Sequence, residues 1–245
     1  MSEKDMRYSL KPQIWAAYIT IAAAVLSVVA LITGNLLWAA ASALVAIGSW
    51  LAARFWNRRN PIPMPSSLRW FMFIPRGQSP ESLARILNPK AGERILEIGP
   101  GPGVHALPIA KALFPGGVLE ALDIQPEMLD HLKQRAEKAG VTNIVTTKGD
   151  AQALAFPSGT FDAAYMIGTL GEIPDDAAAL GELRRVLKSE GRLVIGEVFI
   201  DPDFVSLAAL REKAKTAGFV FERASGPKLS YFVLFRKSAG ERRSV

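Results

Sequence analysis

The distribution of apolar and charged positions divides the chain into two parts of different character. Residues 12–53 form a run of 42 residues without Asp, Glu, Lys, Arg or His. As a single helix, this run would be roughly 63 Å long, about twice the thickness of a bilayer core. The turn dipeptide Gly34-Asn35 interrupts it. The pattern therefore predicts two spans, Ile14–Thr33 and Leu36–Phe55, each near the length that crosses a membrane.

A signal peptide and a buried hairpin fit the apolar run less well than a membrane hairpin does. A signal peptide has an apolar region of only about 7–15 residues before its cleavage site, and the run here continues far beyond that length. A buried hairpin of a soluble protein rarely extends so far without a charge, because most surface-facing positions of soluble helices are polar. The favoured interpretation is a transmembrane hairpin.

Basic residues flank the two spans and are absent from the turn between them. Three precede the first span and three follow the second: Lys4, Arg7, Lys11, Arg54, Arg58 and Arg59. The positive-inside rule then predicts a multi-pass protein of the cell membrane with two spans, both ends in the cytoplasm and the turn outside. The spans are rich in small residues, which is compatible with close packing of the hairpin or with a homo-oligomer.

The net charge of +6 comes entirely from residues 1–76, and the rest of the chain is neutral. A nucleic-acid enzyme more often carries a basic surface on its main domain, so nucleic acid is not predicted as a partner. The chain has no cysteine and only two histidines, His105 and His131. This composition excludes disulfides, zinc–thiolate sites and histidine-rich metal sites, and no metal is predicted.

Residues 60–66, with the sequence NPIPMPS, predict an extended linker, because alternating prolines cannot continue a helix. Residues 68–76 place five large apolar residues between two arginines. This segment fits an interfacial element on the bilayer and equally a short strand or helix packed on the following domain. The predicted division is a hairpin at 1–59, a linker or interfacial segment at 60–78, a catalytic domain at 79–237 and a tail at 238–245.

After residue 78, strand and helix signals alternate. One predicted helix begins at Ser79. The other predicted helices are Val104–Phe114, Pro126–Ala139, Asp175–Leu187 and Val205–Ala217. The predicted strands are Arg94–Gly99, Val118–Asp123, Ile144–Gly149, Phe161–Ile167, Arg192–Phe199, Phe219–Ala224 and Ser230–Arg236. This alternation predicts an α/β, doubly wound Rossmann-like sheet, mostly parallel, whose final hairpin makes the last strand antiparallel.

A glycine-rich loop follows the first predicted strand, with the pattern Glu97-x-Gly99-x-Gly101-x-Gly103. Such a loop at the carboxyl end of the first strand is where these sheets bind nucleotides. The dinucleotide fingerprint G-x-G-x-x-G would need a glycine at position 104, which is valine, and the P-loop pattern is absent. The spacing therefore disfavours NAD and ATP.

This loop resembles motif I of the class I S-adenosylmethionine-dependent methyltransferases. Residues 149–162 and 182–193 are similar to two further motifs of the UbiE-like subgroup, the quinone C-methyltransferases. Leu122-Asp123-Ile124, followed by Met128, resembles the segment that carries the family's ribose-binding acid. The resemblance covers residues 79–237 and implies the methyltransferase fold, methyl-transfer activity and S-adenosylmethionine as cofactor.

The resemblance also implies a cofactor site. Its predicted members are Glu97, Gly99, Gly101, Gly103, Asp123, Ile124, Met128, Asp150 and Ala151. Glycines let the backbone approach the methionyl part closely, and the Asp123 carboxylate can accept from both ribose hydroxyls. Asp150 and the amide of Ala151 suit the adenine, while Ile124 and Met128 can enclose it. Glu97 orients the loop or meets the methionyl ammonium.

Candidate catalytic residues follow the fourth and fifth predicted strands. They are Tyr165, Thr169, Glu172, Glu197 and Asp201, with Glu172 and Glu197 preferred. Either glutamate can bind a cationic headgroup or accept a proton. His105, at the start of a helix after the glycine loop, faces either the substrate or solvent.

The sequence thus predicts a membrane-anchored methyltransferase acting on an amphiphilic, lipid-like acceptor, a quinone-like ring or a phospholipid headgroup. Two alternatives remain: a membrane scaffold or sensor that binds S-adenosylmethionine without turnover, and a methyltransferase for a small soluble acceptor.

Overall fold

The computed structural model describes residues 12–66 and 78–238. The chain divides into two compact units, Met1–Pro65 and Ser66–Val245, and this division falls inside the predicted linker. Three predicted features lie outside the described residues: the basic positions before residue 12, the apolar segment 68–76 and the tail beyond Ser238.

The first unit is a pair of long helices, α1 (Pro12–Ile32) and α2 (Leu36–Asn57). They are joined at the predicted turn, where Gly34 adopts a φ of 74° and the Asn35 side chain accepts a hydrogen bond from the Trp38 amide at 3.3 Å. A positive φ is readily available to glycine, and asparagine is a preferred N-cap, so these two residues can end one helix and start the next.

Polar contacts between α1 and α2 are made by small hydroxyl residues. Thr20 Oγ1 and Ser49 Oγ are 2.8 Å apart, and Ser27 Oγ donates to the Ala39 carbonyl at 3.0 Å. Small side chains allow two helix backbones to approach closely, as they do in membrane helix pairs.

Most large apolar side chains of the two helices are exposed, up to 80% for Ile32 and 85% for Leu37. Both helices are long and apolar enough to cross a membrane, by length and composition. Core helices of soluble proteins and signal sequences share that length and composition.

The second unit is built on a seven-stranded sheet with the order β3-β2-β1-β4-β5-β7-β6. The strands are β1 (Arg94–Ile98), β2 (Val118–Asp123), β3 (Ile144–Lys148), β4 (Phe161–Ile167), β5 (Leu187–Val198), β6 (Phe219–Ser225) and β7 (Ser230–Lys237). Strands β1 to β5 pair in parallel, and β7 is antiparallel to both β5 and β6. The predicted α/β Rossmann-like sheet, including the antiparallel last strand, is confirmed.

Within residues 78–238, five α-helices accompany the sheet. They are α3 (Pro80–Leu87), α4 (Ala106–Ala112), α5 (Pro126–Lys138), α6 (Asp176–Val186) and α7 (Leu207–Thr216). Two apolar clusters are formed by alternate residues of the strands, with Leu96 in one cluster and Ile95 in the other. Because successive side chains of a strand point to opposite faces, both faces of the sheet are covered.

Several predicted element boundaries differ from the structure by one or more residues, and the largest difference is at the start of β5. Strand β5 begins at Leu187, which the sequence pattern places in the preceding helix, because β5 pairs with β4 both at Leu187 and from Arg192 onward. The residues between them form an irregularity in which Glu190 has a φ of 60°. Helix α4 begins at Ala106, two residues after the predicted start.

Candidate functional site

The glycine loop leaves the carboxyl end of β1 in a conformation that favours glycine. Gly99, Gly101 and Gly103 have φ values of 67°, 52° and 78°. A Cβ at Gly99 would lie 2.5 Å from Thr169 Oγ1, and one at Gly103 would collide with Leu132 Cδ1. The loop therefore packs closely on the turn after β4 and on α5, and a side chain at either position would displace it.

Glu97 lies in β1 beneath this loop and is 2% exposed. Burial raises the pKa of its carboxyl to about 8, and the nearby Asp123 adds to the rise. The Tyr165 hydroxyl offsets part of this rise in pKa. The two groups do not reach hydrogen-bond geometry, since neither Glu97 Oε2 nor the Tyr165 hydroxyl has a hydrogen-bond partner among residues 12–66 and 78–238. A buried acceptor without a donor is costly, so Glu97 suits a ligand that brings one.

Asp123 ends β2 and is 8% exposed. Its Oδ1 accepts from the Gln125 amide at 2.9 Å. Burial raises the pKa of Asp123 to about 6, against the opposing effect of the amides of Gln125, Ile124 and Gly101. The Gly101 amide therefore faces this carboxylate, and the structure brings the glycine loop and Asp123 together.

The predicted adenine side follows β2 and β3. Ile124 is 46% exposed, whereas Met128 and Ala151 are buried. Both oxygens of Asp150 accept from the Gln152 side-chain amide at 2.9 Å, and Oδ1 also accepts from the Gln152 backbone amide at 2.9 Å. Gln152 thereby holds the Asp150 carboxylate in one orientation.

The two preferred catalytic glutamates lie near the carboxyl ends of neighbouring strands but differ in setting. Glu172 is half-buried in the 3₁₀ turn Leu170–Glu172 after β4. Glu197, in β5, is 1% exposed, and its Oε2 accepts from the Val205 amide at 3.0 Å. Burial raises the pKa of Glu197 well above its usual range, and the negative charges of Asp201 and Asp203 contribute to the rise.

The remaining candidates have distinct positions. Tyr165 is completely buried in β4, and Thr169 packs against Gly99. Asp201 lies in the loop between β5 and α7, with Oδ2 3.2 Å from where a Cβ at Gly168 would be. His105 Nε2 is 2.9 Å from the Gln78 carbonyl oxygen, and burial lowers the pKa of its imidazole.

Gln78 falls within the predicted linker, and sequence reasoning missed its role. It is 3% exposed, and its Nε2 donates to the carbonyl oxygens of Glu197 at 2.7 Å and Tyr231 at 3.4 Å. A glutamine beside a proline-rich stretch carries no local signal of burial, so only the folded chain reveals these contacts.

Comparisons with known proteins agree with this geometry. Residues 95–191 match the family model described as a methyltransferase domain. The fold matches that of a SAM-dependent methyltransferase from Aquifex aeolicus with a TM-score of 0.65 at 21% identity, covering 71% of this chain and 100% of that one. The chain carries a methyltransferase domain. That structural neighbour is named as SAM-dependent, which agrees with the S-adenosylmethionine cofactor that the resemblance implies.

Curated relatives of the methyltransferase domain act on different acceptors. The demethylmenaquinone methyltransferase of Thermus thermophilus is 40% identical over 108 residues, 44% of this chain and 48% of that protein. The 27-O-demethylrifamycin SV methyltransferase of Amycolatopsis mediterranei is 30% identical over 139 residues, 56% of this chain and 50% of that protein. The chain spans about half the length of these relatives, which support a class I methyltransferase without naming its acceptor.

The residues present fit this cofactor. Glu97 offers a buried acceptor oxygen that lacks a donor among the described residues, and Asp123 offers a carboxylate at the next strand end. The glycine loop, free of side chains at alternate positions, lies between them. A ligand with an ammonium group and a diol matches these two acceptors.

Proposed function

We propose that this protein is a membrane-anchored S-adenosylmethionine-dependent methyltransferase acting on an amphiphilic acceptor, with a quinone-like ring as the leading class. One observation carries the proposal: a chain with a methyltransferase domain also has two long helices whose apolar side chains are mostly exposed. Exposed apolar surface of this extent marks contact with a membrane or another protein.

The proposed cofactor site is assembled from three strand ends, those of β1, β2 and β3. The backbone of Gly99, Gly101 and Gly103 receives the methionyl part, and Glu97 accepts from its ammonium group. Asp123 accepts from the ribose hydroxyls, because its carboxylate lies at the end of β2 beside the Gly101 amide of the glycine loop, which offsets part of the rise that burial causes in its pKa. The adenine is bounded by Ile124, Met128, Asp150 and Ala151.

When bound, S-adenosylmethionine supplies an electrophilic methyl group on a sulfonium centre. The protein's part is mainly to align the acceptor atom with that methyl group, because alignment lowers the barrier of a two-reactant step. Glu172, half-buried after β4, is proposed to accept the proton that the acceptor atom loses. Burial raises the pKa of Glu197 well above its usual range, which favours the protonated carboxyl, and we propose that it orients the loop after β5.

The acceptor class is supported by the relatives and by the helices together. Several similar proteins are named demethylmenaquinone methyltransferases. Menaquinone-type molecules reside in membranes, where the two apolar helices would hold the enzyme. Tethering the enzyme and the acceptor to one surface raises their effective concentration.

The basic residues in the last turn of α2 and directly after it, Arg54, Arg58 and Arg59, support a cytoplasmic position for the methyltransferase domain. In this arrangement the turn at Gly34 lies on the opposite side of the membrane. The small residues of α1 and α2 support close packing of the hairpin and are equally compatible with a homo-oligomer.

The test is methyl transfer by the purified full chain. Labelled S-adenosylmethionine is supplied with reduced demethylmenaquinone in vesicles, with phosphatidylethanolamine vesicles, and with a water-soluble quinol analogue. Transfer to reduced demethylmenaquinone is expected. Removal of residues 1–65 should slow transfer in vesicles and leave the rate on the soluble analogue nearly unchanged.

Each alternative has its own outcome in the same assay. Label in phosphatidylethanolamine alone would identify a headgroup methyltransferase. A shortened chain that is equally fast on vesicle-bound acceptor would point to a soluble substrate. Cofactor binding without label transfer to any acceptor or membrane extract would favour a scaffold or sensor.

A further inference from the structure

We infer that Gln78 is a positioning residue that holds two loops independently, the glycine loop and the loop between β5 and α7, here called the β5–α7 loop (residues 199–206). The inference rests on the proposed function, because it assigns the first loop to the cofactor and the second to the acceptor side. Gln78 is buried and hydrogen-bonded to three segments that are far apart in sequence.

The first contact of Gln78 is with the segment that follows the glycine loop. The Gln78 carbonyl oxygen lies 2.9 Å from His105 Nε2, and His105 is two residues after Gly103. Because a carbonyl oxygen can only accept, Nε2 carries the proton and donates. The pKa of His105 is lowered by burial, so the ring is neutral at physiological pH and its Nε2–H is committed to Gln78.

The second set of contacts is with β5 and β7. Glu197 and Tyr231 lie directly opposite each other in the antiparallel register, and the Gln78 side-chain amide donates to both of their carbonyl oxygens. A primary amide has two N–H donors, so one glutamine can serve both acceptors. Gln78 thereby bridges two strands at the point where β5 is about to end.

The side chains of the same two residues hold the β5–α7 loop. Glu197 Oε2 accepts from the Val205 amide at 3.0 Å, and the Tyr231 hydroxyl donates to the Val205 carbonyl oxygen at 2.6 Å. The backbone N–H and C=O of Val205 are therefore both bonded to the side chains of Glu197 and Tyr231, the two residues whose carbonyl oxygens accept from Gln78. Phe204 adds an edge-on contact with the Tyr231 ring at 6.0 Å between centroids.

The β5–α7 loop also packs on the turn that follows β4, and this provides a second connection to the glycine loop. A Cβ at Gly171 would collide with the Asp203 carbonyl oxygen, so the two segments are in direct contact. Thr169, in the same turn, packs against Gly99 of the glycine loop. The two loops are thus joined once through Thr169 and once through Gln78.

Glutamine is suited to this position by its charge and its donors. Replacing this buried amide with an apolar side chain removes one donor from each of the two carbonyl oxygens, and each such loss costs stability. An ionised carboxylate at position 78 would face two carbonyl oxygens and be repelled, whereas a protonated carboxyl could donate to one of them. Burial raises the pKa of such a carboxyl group, and a falling pH then favours its protonated form.

The experiment compares full-length variants in nanodiscs with two readouts, the Kd for S-adenosylmethionine from calorimetry and the hydrogen-exchange protection factor of the Val205 amide. Gln78→Met should raise the Kd and lower the protection factor, each by at least about 5-fold, the equivalent of one lost hydrogen bond. His105→Phe should change only the Kd, and Tyr231→Phe only the protection factor. Gln134→Met, at an exposed glutamine of α5, is the matched control.

The Gln78→Glu variant should show a pH-dependent recovery that a simple loss of packing would not produce. Its Kd and protection factor should approach those of the wild type as the pH falls from about 8 to about 6, relative to the wild type measured at each pH, because a protonated carboxyl regains a donor. Gln78→Met should show no such recovery. This rescue tests the hydrogen-bond donor itself.

Three outcomes would overturn the inference. They are a Gln78→Met effect on only one readout or on neither, effects of His105→Phe and Tyr231→Phe on both readouts, and a Gln78→Glu variant that does not recover at low pH. Neither readout needs turnover. A wild type that binds the cofactor and transfers no methyl group would contradict the proposed function and leave this test intact.

Discussion

Apolar side chains are mostly exposed on the two helices of the first unit and mostly buried in the sheet of the second. In the sheet, Tyr165, Phe232 and Phe235 are fully buried between strands and helices. In the helices, Leu37 and Ile32 are among many large side chains that are mostly exposed. The methyltransferase domain thus buries its own core, while the helices present an apolar surface that water would solvate poorly.

The same contrast holds for polar groups. The helix pair contains neutral hydroxyl contacts such as Thr20 with Ser49. The domain instead buries the carboxyl groups of Glu97, Asp123 and Glu197 toward the carboxyl edge of its sheet. Buried carboxyl groups are expensive. The fourth buried carboxyl group of the described domain, Glu120, pairs with Arg94 at 3.0 Å, whereas the three at the carboxyl edge mark the region proposed to bind a ligand.

The largest expected effect is on membrane association. Alkaline carbonate extraction should leave the full chain in the membrane fraction, because the two helices are 21 and 22 residues long and mostly apolar. A chain of residues 66–245 should move to the soluble fraction with its cofactor affinity retained. It should start at Ser66 and not at Ser79, because a shorter chain lacks Gln78. Extraction of the full chain into the supernatant would refute the transmembrane interpretation.

The next effect compares one glycine from each region. Gly99→Ala should weaken S-adenosylmethionine binding by about 100-fold, since a left-handed backbone costs a non-glycine residue about 1–3 kcal/mol and the new Cβ would press on Thr169. Gly34→Ala shares the positive φ but meets nothing within 4 Å. Calorimetry should show an unchanged Kd for Gly34→Ala, and equal losses in both variants would contradict the proposed loop contact.

Removal of the proposed ribose acceptor should have a somewhat smaller effect. Asp123→Ala should weaken cofactor binding by roughly 1–3 kcal/mol, the cost of losing charge-assisted hydrogen bonds in a buried site. Asp130→Ala is the matched control, because Asp130 is exposed on α5 and pairs only with Lys133 at 3.7 Å among the described residues. An Asp123→Ala variant that binds as tightly as the wild type would exclude the ribose assignment.

The buried carboxyl groups also predict how stability depends on pH. The folded protein raises the pKa of Glu97 from 4.5 to about 8, so the folded state holds a proton that the unfolded state releases. Stability should therefore be greatest at low pH and fall between about pH 4.5 and 8, by up to about 1.4 kcal/mol per pH unit for this one proton. Glu97→Gln should flatten this fall in ligand-free melting experiments. A pH dependence identical to that of the wild type would show that Glu97 is already ionised when folded.

The smallest effect concerns the contact between α1 and α2. A double-mutant cycle with Thr20→Ala and Ser49→Ala should give a coupling energy of about 0.6 kcal/mol, the typical value for polar pairs between membrane helices. Reversible unfolding in detergent micelles measures it. Cofactor affinity should not change in either variant, and a change would mean that the two regions of the protein are coupled.

Local patterns in the sequence were enough for most of the architecture. The turn at Gly34-Asn35, the alternation of strands and helices and the antiparallel last strand all follow from periodicity and turn residues, which act over a few positions. The glycine loop and Asp123 lie together in the structure because parallel strands end at one edge of the sheet. These features need no knowledge of distant contacts.

Only the tertiary structure decided which polar residues are buried and what they contact. Gln78 is bonded to residues 119 and 153 positions away. Glu197, a candidate base in the sequence, has a side chain oriented by Val205 and a raised pKa because the packed chain removes it from water. The sequence names the groups, but burial and long-range partners set their charge, and both depend on how segments far apart in the chain pack together.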